Sequence, residues 1–268
     1  MQEIQNKKMI IRIGRNTLSF TMLDPTDKRN PFSYEPYVVK GGISMAVNLR
    51  EAFKTATLTA IPSRRVQVML DTPTMLVPIE QFEEEEINDL YNYTFSPSEE
   101  PRRMLFNVLP DMKAVCIFPI NKDLHMVVSD HYEDAQYIHV MTPVWRHLHQ
   151  RSYTSHYNKL YACFQAGQLH IFAFQQNRFR FCNSFEASHA NDALYFMVYV
   201  WKQLRMDTTH DELHIVGEIP EQEQLLRELR QYLQKVYVVN PAVDLNQAPV
   251  TTVKGMPYDL MTLLVKGR

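Results

Sequence analysis

MIIRIGRNTLSFTML, residues Met9 to Leu23, and LYACFQAGQLHIFAF, residues Leu160 to Phe174, are the two stretches that decide the fold. Laid over one another at an offset of 151 they align without a gap. Each reads as an apolar strand, a four-residue turn and a second apolar strand, with turns at Gly14 to Thr17 and Gln165 to Gln168. Only Leu18 and Leu169 match in identity, so the repeat lies in the pattern and not in the letters.

The segments that follow each hairpin repeat as well. After the first, the pattern predicts a strand over Tyr34 to Lys40, a helix over Ile43 to Leu58 and a strand over Arg65 to Leu70. In that helix Ala46, Leu49, Phe53 and Ala56 recur at spacings of three and four. After the second come a strand over Asn177 to Phe185, a helix over Asn191 to Arg205 capped by Asn191 or Asp192, and a strand over Glu212 to Val216. Hairpin, strand, helix, strand therefore occurs twice. The first half continues with a short helix opened by Glu83 to Glu86, whose acids suit the positive end of the helix dipole. A hairpin over Met104 to Val108 and Lys113 to Pro119 follows, then a helix over Asp123 to Asp130, a strand over Tyr137 to Met141, and a helix started by Pro143. The second half continues with a helix whose first position is Pro220 and a strand over Lys235 to Val239. Its tail, Asn240 to Lys254, reads as loop, and Tyr258 to Val265 as a last helix. The polar stretch Gln150 to Asn158 marks the expected boundary, giving domains 1–152 and 153–268.

Two copies of this unit joined head to tail resemble the duplicated ribonuclease-H-like lobes of the actin-like ATPases, in particular the pilus-assembly and cell-division branch. The segment LDTPTMLVPIEQFEEEEINDLYNYTF, Leu70 to Phe95, resembles an uncharacterised bacterial domain family of this fold. The resemblance implies an α/β, two-lobed actin-like fold with mixed sheets and a nucleotide cleft between the lobes. In that superfamily each hairpin carries an Asp on its first strand, which positions magnesium, and a turn whose amides and hydroxyls hold phosphate. Carried onto this chain, the two acidic positions fall on Arg12 and Cys163. A permanent cation and a soft thiol cannot replace carboxylates toward a hard cation. The phosphate and adenosine positions fall on Gly14, Arg15, Asn16 and Thr17, on Gly167 and Gln168, and on Gly217, with Gln165 and Glu218 where glycine is expected.

Composition is consistent with such a degenerate site. Only 7 of 268 residues are glycine, and neither a Walker loop nor a dinucleotide fingerprint occurs. Lys and Arg total 28 against 30 Asp and Glu, a net charge of -2, which supplies no field for nucleic acid or an anionic membrane. The polar N-terminus, the lack of a long apolar run and three widely spaced cysteines, Cys116, Cys163 and Cys182, point to a cytoplasmic protein with buried, reduced thiols.

Other candidate groups read as structural. His147 and His149, two apart on a helix, do not share a face; His210 and His214 are split between a loop and a strand; His125 and His131 also face apart. All read as surface or partly satisfied histidines. Cys163 reads as a buried thiol, with His170 on the partner strand. Asp71 reads as a turn initiator, and Arg64, Arg65, Arg102 and Arg103 as solvated charges. The expected role is a non-catalytic interaction or scaffold protein, without cofactor, metal, nucleic acid or membrane. The alternatives are a regulatory protein that binds ATP without turnover, and an ATPase or kinase with relocated catalytic groups.

Overall fold

The structure, a computed structural model, describes residues 7–27, 31–63, 65–96, 99–153, 156–175 and 178–266. Arg64, Asn177, Thr154, Ser155 and the first six residues, on which parts of the sequence reading fall, lie outside the described residues. The chain divides into two compact units, Met1–Val108 with Val115–Thr142, and Leu109–Ala114 with Pro143–Arg268.

The first unit begins with β1 (Lys8–Ile13), β2 (Leu18–Leu23) and β3 (Phe32–Tyr37), an antiparallel meander. Pro36 lies in β3, the edge strand, where a missing N–H is tolerated. Helix α1 (Met45–Thr55) is capped by Ser44 Oγ, which accepts from Val47 N at 3.3 Å, and it buries Ala46, Leu49 and Ala52. Strand β4 (Arg65–Leu70) then pairs parallel to β1. Next come β5 (Met75–Pro78), α2 (Ile87–Thr94), β6 (Arg102–Leu109), β7 (Ala114–Asn121), α3 (Lys122–His131) and β8 (Gln136–His139). The main sheet has the order β3-β2-β1-β4-β8, and a smaller sheet has the order β5-β7-β6. Ile87 and Tyr91 of α2 cover the small sheet through Val77, Val115 and Ile117. The acids Glu84 to Glu86 form a single 3-10 turn ahead of α2.

The second unit contains α4 (Met141–Ser152) from Pro143 onward, so that helix starts two residues before the proline, which occupies its first turn. It continues with β9 (Lys159–Gln165), β10 (Gln168–Gln175), β11 (Arg178–Glu186), α5 (Ala190–Gln203), β12 (Glu212–Gly217), α6 (Gln222–Tyr232) and β13 (Val236–Val238). Its sheet order, β11-β10-β9-β12-β13, repeats the first one strand for strand. The register repeats too, because Met9 pairs with Met22 as Leu160 pairs with Ala173, 151 residues on. Leu160, Ala162, Leu213 and Ile215 meet Ala193, Met197, Trp201, Leu225 and Leu229 in one core. Each Leu, Ile or Met side chain among them contributes about 1.5–3 kcal/mol by leaving water.

Three local expectations change. Neither Asn191 nor Asp192 caps α5; the Glu221 carboxylate does, accepting from Ala190 N at 2.9 Å. Glu221, at φ 43°, is the residue before α6, which places Pro220 outside the helix rather than at its first position. The tail read as loop contains a helical turn, α7 (Pro241–Asp244), capped by Asn240, and a 3-10 turn at Pro249–Thr252, before α8 (Tyr258–Lys266). Four residues are too few to show a helical period in sequence. A bulge between Ala173 and Phe174 leaves Arg180 as an extra residue in β11, and its guanidinium donates to the Leu204 carbonyl at the end of α5.

Candidate functional site

In the first unit the end of the β1–β2 hairpin gathers five of the expected phosphate-site residues. Ile13 and Leu18 form the last strand pair, and Gly14 N donates to Thr17 O at 2.7 Å across the connection. Arg15, Asn16 and Thr17 are exposed, whereas Gly14 is buried. Arg12 is 5% exposed, and its Nη1 donates to Thr17 Oγ1 at 3.2 Å. The guanidinium thus folds back over the turn. A Cβ on Gly14 would press on that same hydroxyl. Arg12 sits between Ser19 of β2 and Met69 of β4, both in register. A guanidinium at this depth opposes a divalent cation and offers forked donors to an anion. Asp71, one residue past β4, is buried, and its N donates to Ile13 O at 3.0 Å, so it extends the strand ladder. The turn reading of Asp71 is replaced by this ladder contact. Thr72 is tied down as well, through Oγ1 to Pro119 O at 3.1 Å and through its carbonyl to His139 Nε2 at 3.0 Å.

The second unit gathers the other three. Ala166 and Gly167 both have positive φ, 47° and 77°, and lie between the paired residues Gln165 and Gln168. This is the type I′ geometry that matches the twist of a tight hairpin. Gly217 ends β12 opposite Phe164, with φ 101°, and a Cβ there would collide with the Phe164 carbonyl. Strand packing alone therefore requires glycine at 217. Cys163 is buried in β9, in register with His170 of β10 and Val216 of β12.

One face of the second sheet is richer in polar groups than the sequence suggested. His147 and His149 are buried and not on the surface. His147 Nε2 lies 2.6 Å from Asp244 Oδ2, which also accepts from Tyr258 OH at 2.7 Å. Arg151 Nε lies 3.1 Å from Asp244 Oδ1, and its guanidinium also donates to the Asp244 carbonyl. Burial raises the Asp244 pKa, but the bonds from His147 and Tyr258 and the positive charges outweigh it and hold the carboxyl below its usual range. The Tyr258 hydroxyl is pushed up, first by burial and then by Asp244. One carboxylate thus ties α4 to α7 and α8. Sequence reasoning missed Asp244, Arg151 and Tyr258, whose only signal was the Asn-Pro helix start at Asn240 and Pro241.

The remaining candidate groups are accounted for locally. His214 stays in β12, 2.8 Å from Glu212 Oε2, and His210 is exposed beside Asp207. Cys116 is buried, and burial pushes its thiol up to about 12 against the opposing bond from Thr74. Cys182 is half-buried. Among the described residues no helix is long and apolar enough to cross a membrane.

Two sheets of one strand order, each opened by a hairpin and closed by parallel strands, define a protein of actin-like ATPase fold. Solved structures agree. A Bacteroides thetaiotaomicron VPI-5482 protein with actin-like ATPase fold and unknown function is 25% identical, with 94% of this chain and 98% of that chain covered and a TM-score of 0.83. A chain of the PilM–PilN type IV pilus biogenesis complex matches at a TM-score of 0.58 and 10% identity, with 96% of each chain covered. The chain belongs to the DUF3822 family, proteins of unknown function, which it matches over residues 1–236. No curated protein matches its sequence.

Proposed function

We propose that this chain is a non-catalytic interaction module, a cytoplasmic protein that keeps the actin-like ATPase fold and has lost the chemistry of its site. The observation that carries this reading is the pair Arg12 and Cys163, which occupy one register position in the two repeated hairpins. Phosphoryl transfer depends on metal and preorganised donors, and neither residue can organise magnesium. Gly217 is explained by strand packing, so it adds no argument for a phosphate contact. PilM, of the same fold, occurs in a complex with PilN, and for this chain that is an analogy of fold. The partner in this reading is another protein.

A second reading, ATP binding without turnover, is favoured by one observation, the Arg12 guanidinium beside the exposed Arg15, Asn16 and Thr17. Thermal unfolding with ATP, ADP and magnesium separates the two. The interaction module shows no shift, whereas ligand at 100 times its dissociation constant adds about 2.7 kcal/mol. A magnesium-dependent shift would refute the first reading. A magnesium-independent shift abolished by Arg12→Ala would establish the second.

A further inference from the structure

We propose that a groove on the first unit, where Arg102, Arg103 and Lys122 ring an apolar floor, takes an acidic segment of a partner protein. The proposal deepens the interaction-module reading and rests on it. The groove has a volume of about 700 Å³ and lies between the start of α2, the start of β6 and the start of α3. Its floor is apolar: Ile87 is buried, and Met104 and Phe106 are half-buried, with the Phe106 ring tilted on Phe82 at 5.0 Å.

Charge decides what fits. Arg102 donates to Asn92 Oδ1 and lies 4.9 Å over the Tyr91 ring. Arg103 Nη1 donates to His125 Nε2 at 3.2 Å. Neither contact neutralises a guanidinium. Lys122, at the first turn of α3, is exposed. Among the described residues none of these three cations has a carboxylate partner. Three like charges around one groove repel each other, and a ligand with two or more carboxylates relieves that repulsion while matching the forked donors of arginine. An apolar residue between those acids fills the floor, and Met104 adapts to its shape.

The same surroundings disfavour nucleic acid. Glu84 lines the groove, and the exposed run Glu83 to Glu86 continues beside it. A phosphate backbone needs a continuous positive track, which these acids interrupt. A short acidic segment needs only the one cluster.

The test is fluorescence polarisation on the full chain. The probe is a labelled short peptide with aspartate and glutamate on both sides of one phenylalanine. The control peptide replaces every acid by its amide. The acidic probe binds, the amide probe binds about tenfold or more weakly, and Arg103→Glu with Lys122→Glu lowers acidic-probe affinity by about tenfold or more. Both substituted residues are exposed, so the melting temperature stays that of wild type. No binding of the acidic probe, equal binding of the two peptides, or wild-type affinity in the double variant would overturn the proposal. So would displacement of the peptide by a short DNA strand at lower concentration than by unlabelled peptide. A specific partner recovered from lysate equally by wild type and the double variant removes this groove and leaves the interaction-module reading standing. A magnesium–ATP thermal shift removes that reading by a different measurement.

Discussion

The β1–β2 and β9–β10 hairpins share five consecutive register pairs, Met9↔Met22 to Ile13↔Leu18 and Leu160↔Ala173 to Phe164↔Leu169, and almost no chemistry. Arg12 and Cys163 pair across to Ser19 and His170, and the connections are Gly14 to Thr17 in one and the positive-φ pair Ala166–Gly167 in the other. Register survives because a slip of one residue would turn every buried side chain to the opposite face. Residue identity is free of that constraint, and in the two aligned stretches only Leu18 and Leu169 agree. The fold is held by the pattern, while catalytic chemistry is held by letters.

That contrast is broken most sharply by Asp244. The second unit carries a buried carboxylate shared by His147, Arg151 and Tyr258, so Asp244→Ala removes the acceptor of His147 and Tyr258 and leaves Arg151 only its bond to the 244 carbonyl within this network. Removing one partner of a buried ion pair is destabilising, and here the loss is about 2–4 kcal/mol. Asp244→Asn, which retains one acceptor oxygen, loses less. Urea unfolding measures both. Equal, negligible losses would show that the network does not hold the C-terminal helices to α4.

Gly217→Ala comes next. Backbone strain at φ 101° and the collision with the Phe164 carbonyl together cost about 2–3 kcal/mol. Gly14→Ala in the first unit meets side-chain atoms of Thr17 and Arg12 rather than backbone, and it loses less. If the two losses were equal, glycine at 217 would need another explanation, and a ligand contact would return as a candidate. Gly167→Ala lies below both. It places a Cβ at φ 77° in the type I′ turn and costs about 1 kcal/mol, read from the same unfolding curves.

How much was legible beforehand follows the same division. The element order and both hairpins could be read because alternation and apolar runs extend over six to nine residues, as in Arg65–Leu70 and Arg178–Glu186. The cap of α5 could not, because Glu221 reaches Ala190 from 31 residues away. The helical turn at Pro241–Asp244 was too short for a period. Arg102 and Arg103 were visible as a basic pair, but Lys122 and His125 join them only through the fold. Arg12 and Cys163 were legible as equivalent positions through the repeat, and as departures only through the resemblance to actin-like ATPases.

The smallest expected effect tests the comparison at a single register position. His214 pairs with Tyr161 as Gln67 pairs with Ile10 in the first unit, so a titrating group and a non-titrating amide occupy matching places. Burial lowers the His214 pKa below 6.5, and Lys159 acts in the same direction, outweighing the opposing bond and charge of Glu212. The unfolded chain therefore binds this proton more readily than the folded one, and stability rises with pH across that range. The contribution is complete above 6.5 and is lost as the pH falls below it. His214→Gln makes the second sheet resemble the first at this position, and it removes that part of the acid-side slope while leaving stability above neutrality less affected. Wild type and variant unfolded in urea at several pH values give the two slopes. Identical slopes would show that Glu212 offsets the burial, leaving the imidazole with the same proton affinity in the folded and unfolded chain, and the burial that separates the two sheets here would then carry no proton linkage.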